Sequence, residues 1–308
     1  MKRYLAACLM ICTLTSTALA SDLSKVKNFT YWLSGPQPSL IAASGFDLAV
    51  VDHSRDGSEA GAFSREQVAL MQRKPGGERR IVLSYLSIGE AEDYRGYWRP
   101  EWKDNPPDWL EGANPDWPGN YKVRFWRPGW QKLIFGSPDA YLDRIIAAGF
   151  DGAYLDIVDA YWYFQEKGRK SAAADMIGFV TALAVYARER KPGFLIVPQN
   201  AEDLLAHEDY LGVIDAQGKE DLYYGLKAPD RPNPKESVDW PKKHLKLAIE
   251  AGKPVLLIEY ADKRKTVEKI YERARKAGLI PYATLRNLDR MVINRKLDPP
   301  LSGLVSRN

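Results

Sequence analysis

The residues of this chain with the type and placement to do chemistry are carboxylates. Asp52, Glu90, Asp156, Asp159, Asp215, Glu220 and Glu259 each fall at or just beyond the end of an apolar segment, in company with Ser87, Gln199 and Asn200. Two carboxyl groups held at different proton affinities can protonate a leaving oxygen and act, as base or nucleophile, on the carbon it leaves. Like charges gathered in one place repel, so such a set is costly unless it is paired or used. Asp156 stands out because it closes the apolar run Tyr154-Leu155, with Asp159 and the aromatics Tyr161-Trp162-Tyr163 directly after it. Its structural alternative is a helix cap or the partner of a buried arginine. Asp159 reads equally as a cap and as a hydrogen-bonding group for substrate. Glu220, beside Lys219, has the spacing of a solvated surface pair. Glu259 competes with it on position, or else forms a salt bridge to a neighbouring strand end. Glu90 follows Gly89 and either orients substrate or pairs with Arg95.

The elements that must position these groups alternate regularly. Residues 28–34, 46–52, 80–89, 152–157, 194–200, 210–216, 254–260 and 279–286 read as eight short strands. Helical segments stand between them, at 39–44, 65–73, 138–148, 172–190, 239–251 and 266–277. Near-continuously apolar strands, each followed by a helix, imply a parallel sheet covered on its outer face. The expected fold class is α/β, a single (β/α)8 TIM barrel over residues 21–308, whose active site belongs at the C-terminal strand ends. A doubly wound open sheet is the competing architecture, but Ser34-Gly35-Pro36 replaces its phosphate-binding glycine fingerprint after strand one. Glycines 45, 149, 252 and 278 precede strands and are expected to close helices in the left-handed conformation. The rhythm breaks at 91–136, a long insertion after strand three that holds six of the nine tryptophans. Tryptophan and tyrosine faces stack on the apolar faces of sugar rings.

Several function classes are excluded. Lys2 and Arg3, a short apolar run and Ala18-Leu19-Ala20 form an export signal over 1–20, with cleavage expected after Ala20 and a secreted or periplasmic destination. Both cysteines, Cys8 and Cys12, lie within it, so the mature chain folds without disulfides. The net charge of +4 falls to +2 without Lys2 and Arg3, and no basic stripe marks a nucleic-acid surface. His53, His207 and His244 show no zinc-ligand spacing. No metal, cofactor, nucleic acid or membrane anchor is expected, and the chain reads as a monomer.

Three segments then carry a resemblance. Tyr85-Leu86-Ser87-Ile88-Gly89-Glu90-Ala91-Glu92, Gly149-Phe150-Asp151-Gly152-Ala153-Tyr154-Leu155-Asp156 and Gly218-Lys219-Glu220-Asp221-Leu222-Tyr223-Tyr224 resemble the motifs of glycoside hydrolase family 114. That family includes endo-α-1,4-polygalactosaminidases, and the likeness runs from strand one to strand eight. It implies a (β/α)8 barrel with a catalytic Asp after strand four and a catalytic Glu after strand six, which fall on Asp156 and Glu220. Asp156 is then the expected nucleophile and Glu220 the general acid/base, with the exchanged assignment left open. Asp52, Tyr85, Ser87, Glu90, Asp159, Trp162, Asn200 and Glu259 are the expected substrate-binding residues. The expected substrate is an α-linked amino-sugar polysaccharide, a cationic polymer where it is deacetylated. Two other classes compete: a non-catalytic carbohydrate-binding barrel, and a polysaccharide esterase or deacetylase. The chain has no Gly-x-Ser-x-Gly elbow for the latter.

Overall fold

The computed structural model describes residues 22–302, so the expected export signal lies outside the described residues. The strands, in chain order, begin with β1 (Phe29–Trp32), β2 (Leu48–Val51) and β3 (Ile81–Ser87). Then come β4 (Glu90–Glu92), β5 (Leu110–Ala113), β6 (Asn120–Val123), β7 (Gly152–Asp156) and β8 (Leu195–Pro198). The last three are β9 (Gln217–Glu220), β10 (Val255–Tyr260) and β11 (Ile280–Thr284). Two parallel sheets result, one in the order β1-β2-β3-β7-β8 and one in the order β9-β10-β11. An isolated parallel bridge joins Gln199, just past β8, to Gly218 of β9. At the opposite edges the Thr30 hydroxyl of β1 donates to the Tyr282 hydroxyl of β11 at 3.0 Å.

Side chains alternate along a strand, and this alternation separates two cores. One face gives Tyr31, Leu48, Val50, Leu83, Tyr85, Tyr154, Val197, Leu256, Ile258 and Tyr282, which form one apolar cluster drawn from both sheets. The other face gives Ala49, Val51, Val82, Leu155, Ile196, Leu257 and Ala283, which pack beneath the helices. Those helices are α1 (Pro38–Ala43), α2 (Arg65–Met71), α3 (Pro128–Ile134), α4 (Tyr141–Ala148) and α5 (Ala160–Glu166), followed by α6 (Ala172–Arg190), α7 (Glu208–Val213), α8 (Lys235–Glu250) and α9 (Arg264–Lys276). Helix α2 opens with a reciprocal capping box between Ser64 and Gln67, which satisfies backbone donors that the first turn leaves free. Among the described residues, no helix is long and apolar enough to cross a membrane.

Three sequence expectations need correction. Residues 210–216 do not form strand six: Glu208–Val213 is helix α7, and the strand is the polar segment Gln217–Glu220. Asp215 therefore precedes that strand, at the end away from the other candidates, where it pairs with Arg188 at 2.8 Å. Gly45 is not left-handed, unlike Gly149, Gly252 and Gly278. It is needed there because a Cβ would press on Pro299 at 2.8 Å.

Residues 91–136 are not a bare loop. Strands β4, β6 and β5 pair antiparallel, and Trp102, Trp109 and Trp130 pack edge to face and tilted with ring centroids 5.0 and 5.2 Å apart. The buried Trp130 indole, on α3, donates to the Ile88 carbonyl at 2.9 Å, tying the insertion to the end of β3.

Candidate active site

Asp156 and Glu220 close β7 and β9, and both line one cleft of about 900 Å3 at the C-terminal strand ends. Asp156 shares its strand face with Tyr154, and Glu220 shares its own with Gly218, so both carboxylates emerge from the inner core. Each is held by a tyrosine. The Tyr85 hydroxyl donates to Asp156 Oδ2 at 2.7 Å, and the Tyr260 hydroxyl donates to Glu220 Oε2 at 2.8 Å. Gln199 Nε2 donates to Asp156 Oδ1 at 2.7 Å, and a longer contact of 3.4 Å runs from Asn200 Nδ2 to Glu220 Oε1. Burial first, and the Glu220 charge second, push the Asp156 carboxyl up to about 8. Two carboxyl groups that share a site repel when both are charged, which is why the Glu220 charge adds to the effect of burial on Asp156.

The backbone around the pair is strained. Ile157, directly after Asp156, has φ of 57°, a left-handed value that is costly for a β-branched residue. Asp221, directly after Glu220, has φ of 51°, and Asn200 and Ala201, after Gln199, have 56° and 54°. Each such residue costs on the order of 1–3 kcal/mol and persists only where its surroundings over-determine it.

Of the other expected site residues, Tyr85 lines the cleft and Asn200 borders it through Glu220. Glu90, Asp159 and Trp162 gather instead in an adjoining pocket of about 740 Å3, with Lys122, Tyr163 and Glu166. Ile157 lies on the wall between the two, and Asn120, a cleft residue, donates to Glu90 Oε2 at 3.2 Å. Burial, then the Glu220 charge, raise Asp159 to about 7 against the pull of Lys219. Asp52 lines a groove on the other side of Tyr85 and Tyr94. Burial would raise its carboxyl, but Arg95 at 2.7 Å and His53 at 3.1 Å outweigh that and hold it at about 2. Asp52 is therefore one arm of a buried ion network in which Arg95 also grips Glu92 at 2.6 Å.

Two expected residues stand outside the cleft. The Ser87 hydroxyl is buried and donates to the Glu90 carbonyl at 3.0 Å. Glu259 is fully buried and accepts the backbone N–H groups of Tyr223 and Tyr224 at 2.7 and 3.0 Å. Burial raises it to about 8 in spite of those two donors. Residues the sequence reading passed over also line the cleft: Tyr31, Tyr94, Trp117, Tyr260 and Arg286. Trp117, at the β5–β6 turn, is 53% exposed and forms an outer wall. Tyr31 and Tyr260 had a signal, since each falls at or near the end of an apolar strand.

The family model for glycoside hydrolase family GH114 matches residues 13–298. The chain belongs to family GH114. Uncharacterized proteins of Thermotoga maritima and Methanocaldococcus jannaschii are 38% and 37% identical to it over 288 and 292 residues. Those alignments cover 89% and 88% of this chain and 85% and 81% of the relatives. Among solved structures, the glycoside hydrolase domain of PelA from Pseudomonas aeruginosa superposes with a TM-score of 0.67 at 19% identity, over 87% of this chain and 98% of that one. At that identity the likeness concerns the fold. The GH114 chain is thus a glycoside hydrolase, and its substrates are glycans.

Proposed function

We propose that this GH114 enzyme is a secreted, endo-acting hydrolase of α-linked amino-sugar polysaccharide, with Asp156 and Glu220 as its catalytic pair. The observation that carries the reading is a pair of tyrosine-held carboxylates on the floor of one cleft. A glycosidic bond is cut by one group that protonates the leaving oxygen and another, charged, that acts on the anomeric carbon or on its attacking water. Asp156, which accepts two short hydrogen bonds, is read as the group that acts on the anomeric carbon, and Glu220 as the acid/base. The two parallel sheets are read as one (β/α)8 barrel within a single domain spanning 21–308, behind a signal that is cleaved after Ala20.

Endo action is favoured by the ground on either side of the pair. The Asp52 groove continues the cleft past Tyr94, and the Trp162 pocket continues it past Ile157, so a chain can extend both ways from the scissile bond. A cationic substrate is favoured because Asp156, Glu220, Glu90 and Asp159 all face this ground. Carboxylates in a low-dielectric groove draw in cations even when net charge is slightly positive. Trp162 and Trp117 supply faces for sugar rings.

The test is a reducing-sugar and oligosaccharide-mass assay on amino-sugar polymers of graded acetylation. Wild type is expected to release internal fragments, and Asp156→Asn and Glu220→Gln to release none while remaining folded. Equal cleavage by Glu220→Gln would remove that residue from the pair, and cleavage indifferent to full acetylation would rule out the cationic substrate.

A further inference from the structure

We infer that Tyr154 and Gln199 are positioning residues that hold Asp156 as the charged member of the pair. This rests on the reading of Asp156 and Glu220 as the catalytic groups.

The argument begins below the cleft, in the inner core. Tyr154 is fully buried, and its hydroxyl donates to Gln199 Oε1 at 2.8 Å. Gln199 is itself 2% exposed, at the floor of the cleft. With Oε1 taken by the Tyr154 hydroxyl, Nε2 faces Asp156 Oδ1 at 2.7 Å. An amide nitrogen has only hydrogens to offer, and a hydrogen bond given to a carboxylate favours its charged form. Turning the amide over would set two oxygens against each other at a charged Asp156. Buried mismatches of this kind are expensive.

The neighbouring strand is shaped for this relay. Gly218, two residues before Glu220 and on the same face, stands where a Cβ would overlap the Tyr154 hydroxyl. The glycine is the space the hydroxyl occupies, and its backbone bridges Gln199, with its carbonyl accepting from Asn200 N–H at 3.0 Å. One stack therefore sets Tyr154 and Gly218 below and Asp156 and Glu220 above. Other groups around Asp156 are Tyr31 from β1, Tyr85 from β3, Glu220 from β9, and Asp159 beyond β7. Arg286, across the cleft, is held by Asp221 at 2.7 Å. Tyr85 also donates to Asp156, but through a hydroxyl that can reverse its role. Gln199 cannot.

The experiment follows the Asp156 carboxyl by 13C NMR against pH in a Glu220→Gln background, where the titration belongs to Asp156 alone. Gln199→Leu, which removes the donor without adding a charge, is expected to move the midpoint up by at least about one pH unit. Tyr154→Phe, which unlocks the amide, is expected to move it up by less. With Glu220 restored, the acid limb of kcat/KM should move the same way, with about a tenfold loss per pH unit on that limb. An unmoved midpoint in both folded variants would overturn the inference, as would a downward shift. The NMR titration needs no substrate, so a failed substrate assay strikes the proposed function and leaves this result standing.

Discussion

The two ends of the parallel strands treat charge in opposite ways. At the N-terminal end, Arg80 is fully buried and donates to the carbonyls of Ser44, Phe46, Met71 and Arg73. Asp151, also buried there, accepts from Val82 N–H, Gln72 and Arg79. At the C-terminal end, Asp156 and Asp159 are pushed up by burial and by a like charge, and four residues with left-handed backbone stand beside them. One end spends its polar groups on the fold. The other withholds them for a substrate.

This contrast can be broken most sharply at its two extremes. Asp156→Asn or Glu220→Gln should lower kcat by about 100- to 10,000-fold, the range of positioned acid–base groups. Neither should lower the melting temperature above about pH 8, where each removes a like-charge repulsion. Calorimetry beside the activity assay checks both halves. Arg80→Ala should do the reverse. It strands several buried carbonyls and is expected to cost about 3 kcal/mol or more in denaturant unfolding, with turnover per folded molecule unchanged.

A middle-sized effect concerns pH. Burial pushes the Asp156 and Glu259 carboxyls up to about 8, from ordinary values of 3.8 and 4.5. The folded state therefore binds more protons than the unfolded one between these limits. Their contribution to stability is full below about 4 and is lost as pH rises through about 8. Asp52, held at about 2, acts in the opposite direction, and its contribution is lost only as pH falls below about 4 towards 2. Denaturant midpoints should fall between pH 5 and pH 8, and Glu259→Gln should flatten that fall. The smallest expected effect is at Ile157. Ile157→Gly relieves a left-handed β-branched residue but adds unfolded-state freedom, so stability should move by less than about 1 kcal/mol. A drop in kcat without a change in melting would show that the strained turn aims Asp156.

Much of this was legible in the chain. Apolar strands interrupted by helices announced a parallel α/β fold, and Asp156 was visible as an acid closing an apolar run. Strand six was misplaced because Gln217–Glu220 is polar, so no apolar signal marks it, whereas the Tyr210–Ile214 stretch is apolar and helical. Its partners are backbone groups, and Gln217 Nε2 itself serves the Gly218 carbonyl at 2.7 Å. Glu259 was a fair rival to Glu220 by position, but strand parity separates them. Ile258 and Tyr260 belong to the inner core, so Glu259 points the other way. Asp52 has the inward parity of Leu48 and Val50, yet Arg95, 43 residues on, claims it. No local pattern reports such a partner.

The sheet of β4, β6 and β5 bears on how this enzyme can change over generations. It carries Trp117 and Asn120 to the rim, yet it is rooted through Trp109 and Trp130 in the core beneath the helices. The carboxylates stand on the other core, with Tyr31, Tyr85, Tyr154 and Tyr260. The outer wall of the cleft and the proposed catalytic pair thus descend from different foundations, so the wall can change from one lineage to the next without moving the carboxylates.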